Sequence, residues 1–383
     1  MEHLVNKRVR EIEISGIRKF SNMVSETEGM ISLTIGQPDF PTPEHVKEAG
    51  KRAIDANMTS YTHNAGDIKL RQAASQYVKE KYKLNYKPET EIIVTVGASE
   101  AIDIAFRTIL EEGSEVILPG PVYPGYEPLI KMCGAKPIYV DIRENDFRFT
   151  AEMIMPYINE STRCIVLPYP SNPTGISLTE AELKDIANLV EEKEVFILAD
   201  EIYSELVFDR FHTSIATFIK EKTIIINGLS KSHSMTGWRI GFLFAPENIV
   251  KHILKVHQYN VSCATSISQM AAIEALTNGK NDAWKMKKEY LERRNYVYHR
   301  LTRMGLEVHK PDGAFYFFVK IPYQIPSFDF CVDLAKKEKV AVVPGSAFSN
   351  FGEGYFRLSF SCSMELLEEG LNRIHHYLKN VQV

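Results

Sequence analysis

The chain is poor in cysteine. Its 383 residues include five cysteines, and no two of them have CxxC spacing: Cys133, Cys164, Cys263, Cys331 and Cys362. This scatter argues against a zinc site or a disulfide framework, and it fits reduced thiols in a cytosol. We therefore expect no metal and a cytoplasmic location.

Long apolar and long basic runs are also missing. No apolar stretch approaches the roughly 20 residues that span a bilayer, and the first residues, MEHLVNKRVREIEIS, lack the apolar core of a secretory signal. A net charge of -4, with no basic stripe, gives no sign of nucleic-acid binding. P-loop, GxGxxG and GxSxG motifs are absent. The sequence thus predicts neither a membrane nor a nucleic-acid partner.

Short apolar runs alternate with helical patterns through the middle of the chain. The runs are EIIVTV (91–96), EVILP (115–119), CIVLP (164–168), VFILA (195–199), TIIIN (223–227) and IGFLFA (240–245). They lack polar alternation, which is typical of strands buried on both faces of a mainly parallel sheet. From about residue 305 the pattern becomes α+β. We predict an α/β fold with a helix-covered central sheet and a smaller α+β domain. The predicted divisions are an N-terminal segment (1–45), a large domain (46–285) and a small domain (286–383).

Groups that could bind a ligand, polar side chains and the backbone at a helix start, follow four of the predicted strands, where ligands of open α/β sheets bind. The positions are Ala98, Ser99, Asn172, Asp200, Tyr203, Ser230, Lys231 and Arg239. Each one alone has an ordinary alternative: a helix cap, a turn asparagine, a half-buried tyrosine or a surface charge. Their joint placement favours a single ligand site.

One cofactor would use all of these groups. Pyridoxal phosphate has an aldehyde for a lysine amine and a ring nitrogen for an acidic partner. We expect Lys231 to bind the aldehyde and Asp200 to pair with the ring nitrogen. Asn172 and Tyr203 would bond the ring hydroxyl. The phosphate would meet the helix start after the first strand, together with Ala98, Ser99, Ser230 and Arg239.

Nine stretches carry a family resemblance over essentially the whole chain: IGQPDFPTP, SYTHNAG, VTVGASEA, PGPVYPGY, YPSNPTG, ADEIYSEL, LSKSHSMTGWRIG, GAFYFF and FRLSFS. With them the chain resembles the fold-type I aminotransferases of class I/II, which use pyridoxal phosphate. The resemblance implies that Tyr123 stacks on the cofactor ring. It implies that Arg357 binds the substrate α-carboxylate, helped by Asn172 and the backbone of Gly36. It also implies a homodimer, in which Tyr61 reaches the phosphate of the neighbouring subunit and the first residues form an arm to the partner.

One position departs from the family. Many relatives have a hydroxyl three residues before the lysine, where this chain has Gly228. Contacts to the phosphate from that position must be made by backbone or water.

The implied activity is transfer of an amino group between an L-amino acid and a 2-oxo acid, with ping-pong kinetics. Glutamate as donor and an acyl-aminopimelate acceptor, in lysine biosynthesis, are the expected substrates. A cation would suit their distal acidic groups, and Arg18 is a candidate, although a surface role is its ordinary reading. The alternatives are an aromatic, aspartate or alanine aminotransferase, a cystathionine β-lyase-type enzyme on the same fold, and, more remotely, a non-catalytic binding protein.

Overall fold

The structure, a computed structural model, describes residues 1–25 and 27–380. Residue 26 of the predicted N-terminal segment and residues 381–383 of the predicted small domain lie outside the described residues. The strands are β1 (Ile31–Ser32), β2 (Ile92–Thr95), β3 (Glu115–Gly120), β4 (Lys136–Asp141), β5 (Thr162–Leu167), β6 (Phe196–Asp200), β7 (Thr223–Gly228), β8 (Gly241–Phe244), β9 (Tyr316–Lys320), β10 (Val340–Ala341), β11 (Val343–Pro344) and β12 (Tyr355–Ser359).

Helices surround these strands. Their bounds are α1 (Lys7–Arg10), α2 (Gly16–Ser25), α3 (Glu44–Asp55), α4 (Ile68–Tyr82), α5 (Gly97–Ile109), α6 (Tyr126–Met132), α7 (Ala151–Ile154), α8 (Glu180–Val190), α9 (Ala216–Ile219), α10 (Leu229–Ser232), α11 (Glu247–Val261), α12 (Ser266–Thr277), α13 (Ala283–Arg303), α14 (Ser327–Glu338) and α15 (Met364–Asn380). Within the described ranges, no helix is both long and apolar enough to cross a membrane.

The central sheet has the strand order β2-β8-β7-β6-β5-β3-β4. The ladders from β7 to β4 are parallel, and β8 runs antiparallel to both β7 and β2. Both faces are buried: Ile225 packs into one apolar cluster, and its neighbours Ile224 and Ile226 pack into another on the opposite face. This double burial explains the unbroken apolar runs and confirms the prediction of a mainly parallel sheet covered by helices.

A second, smaller sheet has the order β11-β12-β9 and is antiparallel. Near it, β1 pairs in parallel with β10, with Ile31 opposite Val340. The Leu33 N–H donates to the Ala341 carbonyl, and the Leu33 carbonyl accepts from the Ser359 N–H. Residues close to the two ends of the chain thus form one unit. The domain boundaries given above stay predictions.

His45 links three helices through two hydrogen bonds. It lies in α3, and its Nδ1 is 2.9 Å from Oε1 of Glu274 in α12. Its Nε2 is 2.8 Å from Oδ2 of Asp282, the residue before α13. Although burial lowers the pKa of His45, its hydrogen bonds to the two carboxylates outweigh burial, and the pKa is raised overall. The protonated imidazole therefore links α3, α12 and α13 most strongly at acidic pH.

Candidate active site

A cavity of about 500 Å³ lies beyond the carboxyl ends of β5, β6 and β7. That size is typical of small-molecule sites, which are about 300–1,000 Å³. Its lining includes all but one of the site residues expected from the sequence: Gly36, Ala98, Ser99, Tyr123, Asn172, Asp200, Tyr203, Ser230, Lys231, Arg239 and Arg357. The structure therefore brings together side chains that are up to 321 positions apart in the sequence (357 − 36).

Lys231 lies in α10, the short helix that directly follows β7. Its Nζ donates a 2.6 Å hydrogen bond to the Gly36 carbonyl. Burial, followed by the positive charges of Arg357 and Arg239, lowers the pKa of Lys231 to about 8, while Asp200 opposes the change. Near neutral pH the site thus holds an amine that readily loses its proton, as a nucleophile or a base must.

Asp200 is the last residue of β6 and is only 7% exposed. Its Oδ2 accepts a 2.6 Å hydrogen bond from the Tyr126 hydroxyl, and its Oδ1 accepts from the Ile202 N–H at 3.2 Å. Burial raises the pKa of Asp200, and these two donors counter the rise. The carboxylate is held in one orientation at the cavity wall.

Arg239 and the start of α5 form one end of the cavity. Arg239 has a left-handed backbone, φ 52°, and its Nη1 donates to the Thr236 carbonyl at 2.9 Å. Its guanidinium packs so closely on Gly97 that a Cβ added there would overlap Nη2. Ser99 and Ser230 line the same cavity. A helix N-terminus, a guanidinium and two hydroxyls together suit a phosphate.

Arg357 lies in β12 and is 2% exposed, so it is not the exposed strand arginine that the residue pattern alone would favour. Its Nη1 donates to Asn172 Oδ1 at 2.8 Å, and its Nη2 donates to the Thr34 carbonyl at 2.7 Å. The guanidinium lies 4.3 Å from the centre of the Tyr316 ring. Its buried Nε has no hydrogen-bond partner in the described part of the chain. Because Arg357 also lines the cavity, its guanidinium provides a positive charge there that suits a carboxylate.

Tyr203 and Tyr316 are joined through their hydroxyls, which lie 2.9 Å apart. Tyr203 follows Asp200 by three residues, and Tyr316 begins β9. The pair connects the large sheet to the small one at the cavity. Tyr123 lines the cavity as well, and its ring meets the Tyr126 ring edge to face.

Tyr61 is the expected residue that does not line this cavity, and it is 87% exposed. Its expected role concerns the site of a neighbouring subunit and stays a prediction. Gly228, where many relatives have a hydroxyl, has extended backbone, φ 171°. A Cβ there would come within 3.1 Å of the Ile240 carbonyl and 3.2 Å of Gly241. The close approach of β7 to β8 leaves little room for a side chain.

The cavity residues that the sequence did not predict include Tyr126, Tyr316 and Thr34. Tyr126 and Tyr316 stand within PGPVYPGY and GAFYFF, but nothing in those stretches separates a buried polar partner from ordinary core tyrosine. Arg18, a candidate for the substrate side chain, does line the cavity. No ion pair of Arg18 is present among residues 1–25 and 27–380.

Comparisons with known proteins identify the family of this chain. Residues 28–374 match the family described as aminotransferase class I and II. The chain belongs to that family and is an enzyme, a transaminase, with the fold-type I architecture. Enzymes of the family use pyridoxal phosphate and act on amino acids and 2-oxo acids.

Particular relatives cover nearly the whole chain. It is 62% identical to the probable N-acetyl-LL-diaminopimelate aminotransferase of Bacillus subtilis, over 99% of this chain and 96% of that protein. It is 41% identical to an aspartate aminotransferase of Pyrococcus horikoshii, over 99% and 98%. The solved structure of the Thermus thermophilus aspartate aminotransferase with maleate superposes with a TM-score of 0.93 at 33% identity, covering 97% of this chain and 99% of that one.

Proposed function

We propose that this protein binds pyridoxal phosphate and transfers an amino group between L-glutamate and an acyl-aminopimelate oxo acid, as an N-acetyl-LL-diaminopimelate aminotransferase of lysine biosynthesis. The observation that carries the chemistry is one cavity holding the Lys231 amine, the Asp200 carboxylate and two arginines, Arg239 and Arg357. The name of the 62% identical Bacillus relative supports the particular substrates. We expect ping-pong kinetics and a cytoplasmic location.

The residues fit pyridoxal phosphate. Arg239, Ser99, Ser230 and the N–H groups at the start of α5 provide anion contacts at one end. Asp200, held by its two donors, suits a protonated ring nitrogen. Asn172 and Tyr203 are available to the ring hydroxyl, Tyr123 to the ring face and Ala98 to the phosphate end. The cofactor supplies an aldehyde for the amino group and a ring that withdraws electrons from the substrate α-carbon.

The protein's side chains bind and orient the substrate and move its proton. The Arg357 guanidinium binds the α-carboxylate, with Asn172 and the Gly36 backbone beside it. Lys231 Nζ would take the proton from the substrate α-carbon and deliver it to the carbon that was the cofactor aldehyde, because a proton put back on the α-carbon would give no net transfer. Because its pKa is about 8, the neutral amine that this step requires is available close to neutral pH.

The distal acidic group of the substrate is assigned to Arg18. A bound phosphate would be matched by Arg239, a ring nitrogen by Asp200 and an α-carboxylate by Arg357, which leaves the Arg18 guanidinium without a partner in the cavity. Arg18→Ala should raise the KM for glutamate at least about tenfold, as expected when a hydrogen bond to a charged group is lost. The KM for alanine should change little. Lys19→Ala is the matched control, since Lys19 is exposed and lies outside the cavity. An unchanged KM for glutamate removes Arg18 from the site.

A homodimer would complete the site. The exposed Tyr61 is assigned to the phosphate of the partner subunit, and the exposed apolar side chains of Leu4, Val5, Val9 and Ile14 to an arm across the interface. Light scattering should give twice the mass of 43.6 kDa. A monomer at micromolar concentration would contradict this part of the proposal.

The first experiment is a visible absorption spectrum of the purified protein, before and after L-glutamate is added. A yellow protein that loses its visible band on addition of glutamate supports the cofactor, the half-reaction and the donor together. A yellow protein that responds to aspartate or an aromatic amino acid instead supports the corresponding aminotransferase, and release of pyruvate and ammonia from cystathionine supports a lyase. A protein that stays colourless with added pyridoxal phosphate contradicts the proposal.

A further inference from the structure

Tyr126 is a buried residue of the cavity lining. It is the first residue of α6, it is 1% exposed, and its O–H donates to Asp200 Oδ2 at 2.6 Å. Burial, and then the charge of Asp200, raise the pKa of Tyr126 well above its usual value. The phenol therefore keeps its proton and stays a donor at any pH the protein would meet.

The charges around Asp200 make this donor important. Burial and the neighbouring Glu201 both raise the pKa of Asp200, which favours its neutral form. The Tyr126 O–H, the Ile202 N–H and the Lys231 charge act in the opposite direction. Of these three contributions that lower the pKa of Asp200, the hydrogen bond from Tyr126 is the largest, and it alone comes from a neutral side chain. Removing its hydroxyl would leave one N–H, at 3.2 Å, as the remaining hydrogen bond to the carboxylate.

The Tyr126 ring has a second contact at the site. It meets the Tyr123 ring edge to face, with centroids 5.6 Å apart and planes at 88°. Gly125 between them makes room, since a Cβ there would overlap the Tyr123 ring. One side chain thus contacts both the carboxylate and the tyrosine that line the same cavity.

We propose that Tyr126 is a positioning residue that keeps Asp200 ionised and aimed into the cavity, so that a proton shared with a ring nitrogen bound there stays on the nitrogen. The inference rests on the proposed function, since it requires pyridoxal phosphate in this cavity. The proton has two possible sites, the carboxylate and the ring nitrogen. A donor to the carboxylate lowers its proton affinity and favours the charged pair.

Tyr126→Phe tests the role of the hydroxyl alone. The matched control is Tyr377→Phe, since Tyr377 is also buried and its O–H donates to an aspartate, Asp333, at 2.7 Å, and neither residue lines the cavity. Both variants and the parent are loaded with pyridoxal phosphate labelled with nitrogen-15 in the ring. The chemical shift of that nitrogen reports whether it carries a proton. The cofactor dissociation constant is measured on the same samples.

In the parent and in Tyr377→Phe we expect a protonated ring nitrogen. In Tyr126→Phe the resonance should move towards the unprotonated value, and the cofactor should bind about tenfold more weakly, as for a lost hydrogen bond to a charged group. A purely structural role would weaken binding without moving the resonance. A resonance identical to the parent's overturns the role of Tyr126. A parent that does not bind the cofactor overturns the proposed function itself.

A second variant covers the case in which Tyr126→Phe does not fold. Replacing Tyr126 by 3-fluorotyrosine keeps the ring and the O–H but makes the phenol more acidic, hence a stronger donor. The ring nitrogen should then be protonated at least as fully as in the parent, up to a higher pH. A shift towards the unprotonated form in this variant overturns the proposal.

Discussion

The pKa of Lys231 should respond in opposite directions to two neutral substitutions. Arg357→Gln removes a positive charge that disfavours the ammonium form, so the pKa of Lys231 should rise. Asp200→Asn removes a negative charge that favours it, so the pKa should fall. Both replacements are close in size to the native side chain, which limits repacking.

The size of the effect on Lys231 can be worked out from its pKa of about 8, against 10.5 for an ordinary lysine. The neutral amine is favoured by about 3 kcal/mol relative to a lysine in water, at about 1.4 kcal/mol per tenfold change in equilibrium. At pH 7 roughly one molecule in ten has a neutral Lys231, against fewer than about one in a thousand for a solvated lysine. Removing one neighbouring charge should move the midpoint of the Lys231 titration by roughly one pH unit.

The assay is the rate at which protein freed of cofactor gains visible absorbance when pyridoxal phosphate is added, measured from about pH 6 to pH 10 around the pKa of Lys231. The rate should rise with pH, because the neutral amine attacks the aldehyde, and level off above about 8 in the parent. The profile should move to higher pH in Arg357→Gln and to lower pH in Asp200→Asn. Arg107→Gln is the control, since Arg107 pairs with Asp103 and is not among the charges that act on Lys231. Movement of both profiles in the same direction would refute the electrostatic account, because it would indicate entry of water instead.

Three further predictions concern the amine, the phosphate end and stability. Lys231→Ala should abolish turnover yet still bind pyridoxal phosphate reversibly, which dialysis and activity assays check; near-normal turnover would refute its role. Gly97→Ala should weaken cofactor binding about tenfold or more by displacing the Arg239 guanidinium, whereas Gly113→Ala, with a similar positive φ but open space around it, should not. His45→Gln should lower Tm more at pH 5.5 than at pH 9. Because the pKa of His45 is raised in the folded protein, its ionic hydrogen bonds stabilise the fold fully below the ordinary histidine pKa near 6.5, and this stabilisation is lost as the pH rises through the pKa of the folded state. Equal losses at both pH values would refute the ionic role.

The sequence predicted the central sheet well because strands that are buried on both faces have unbroken apolar runs. TIIIN (223–227) matches β7 (Thr223–Gly228), and VFILA (195–199) matches β6 (Phe196–Asp200). Strand β4 (Lys136–Asp141) was not predicted, since it lies at the sheet edge, contains a proline and is mostly half-buried. Within the predicted α+β region, Val308 forms only an isolated bridge with Val319. Edge positions and single bridges depend on neighbours that a local pattern does not contain.

The site was predictable where side chains follow strand ends. Asp200 is the last residue of β6 and Lys231 lies three residues after the end of β7, so sheet topology places them at the same edge. Arg357 was named only through the family resemblance, because an arginine within a strand gives no sign of facing a cavity. Tyr126 was missed, since its hydrogen bond to Asp200 spans 74 positions in the sequence. Such contacts are set by packing between elements, which local spacing does not encode.

The joining of the two ends of the chain has a consequence for synthesis on the ribosome. Strand β1 pairs in parallel with β10, and the Leu33 carbonyl accepts a hydrogen bond from the Ser359 N–H, so both contacts require residues from the last part of the chain. Translation delivers the sheet, the lysine and the aspartate long before residues 340–359. A nascent chain of about 300 residues would therefore hold Asp200, Lys231 and Arg239 but neither Arg357 nor an anchored Gly36 segment. If Arg357 binds the substrate's carboxylate as proposed, that recognition is among the last properties that the growing chain acquires.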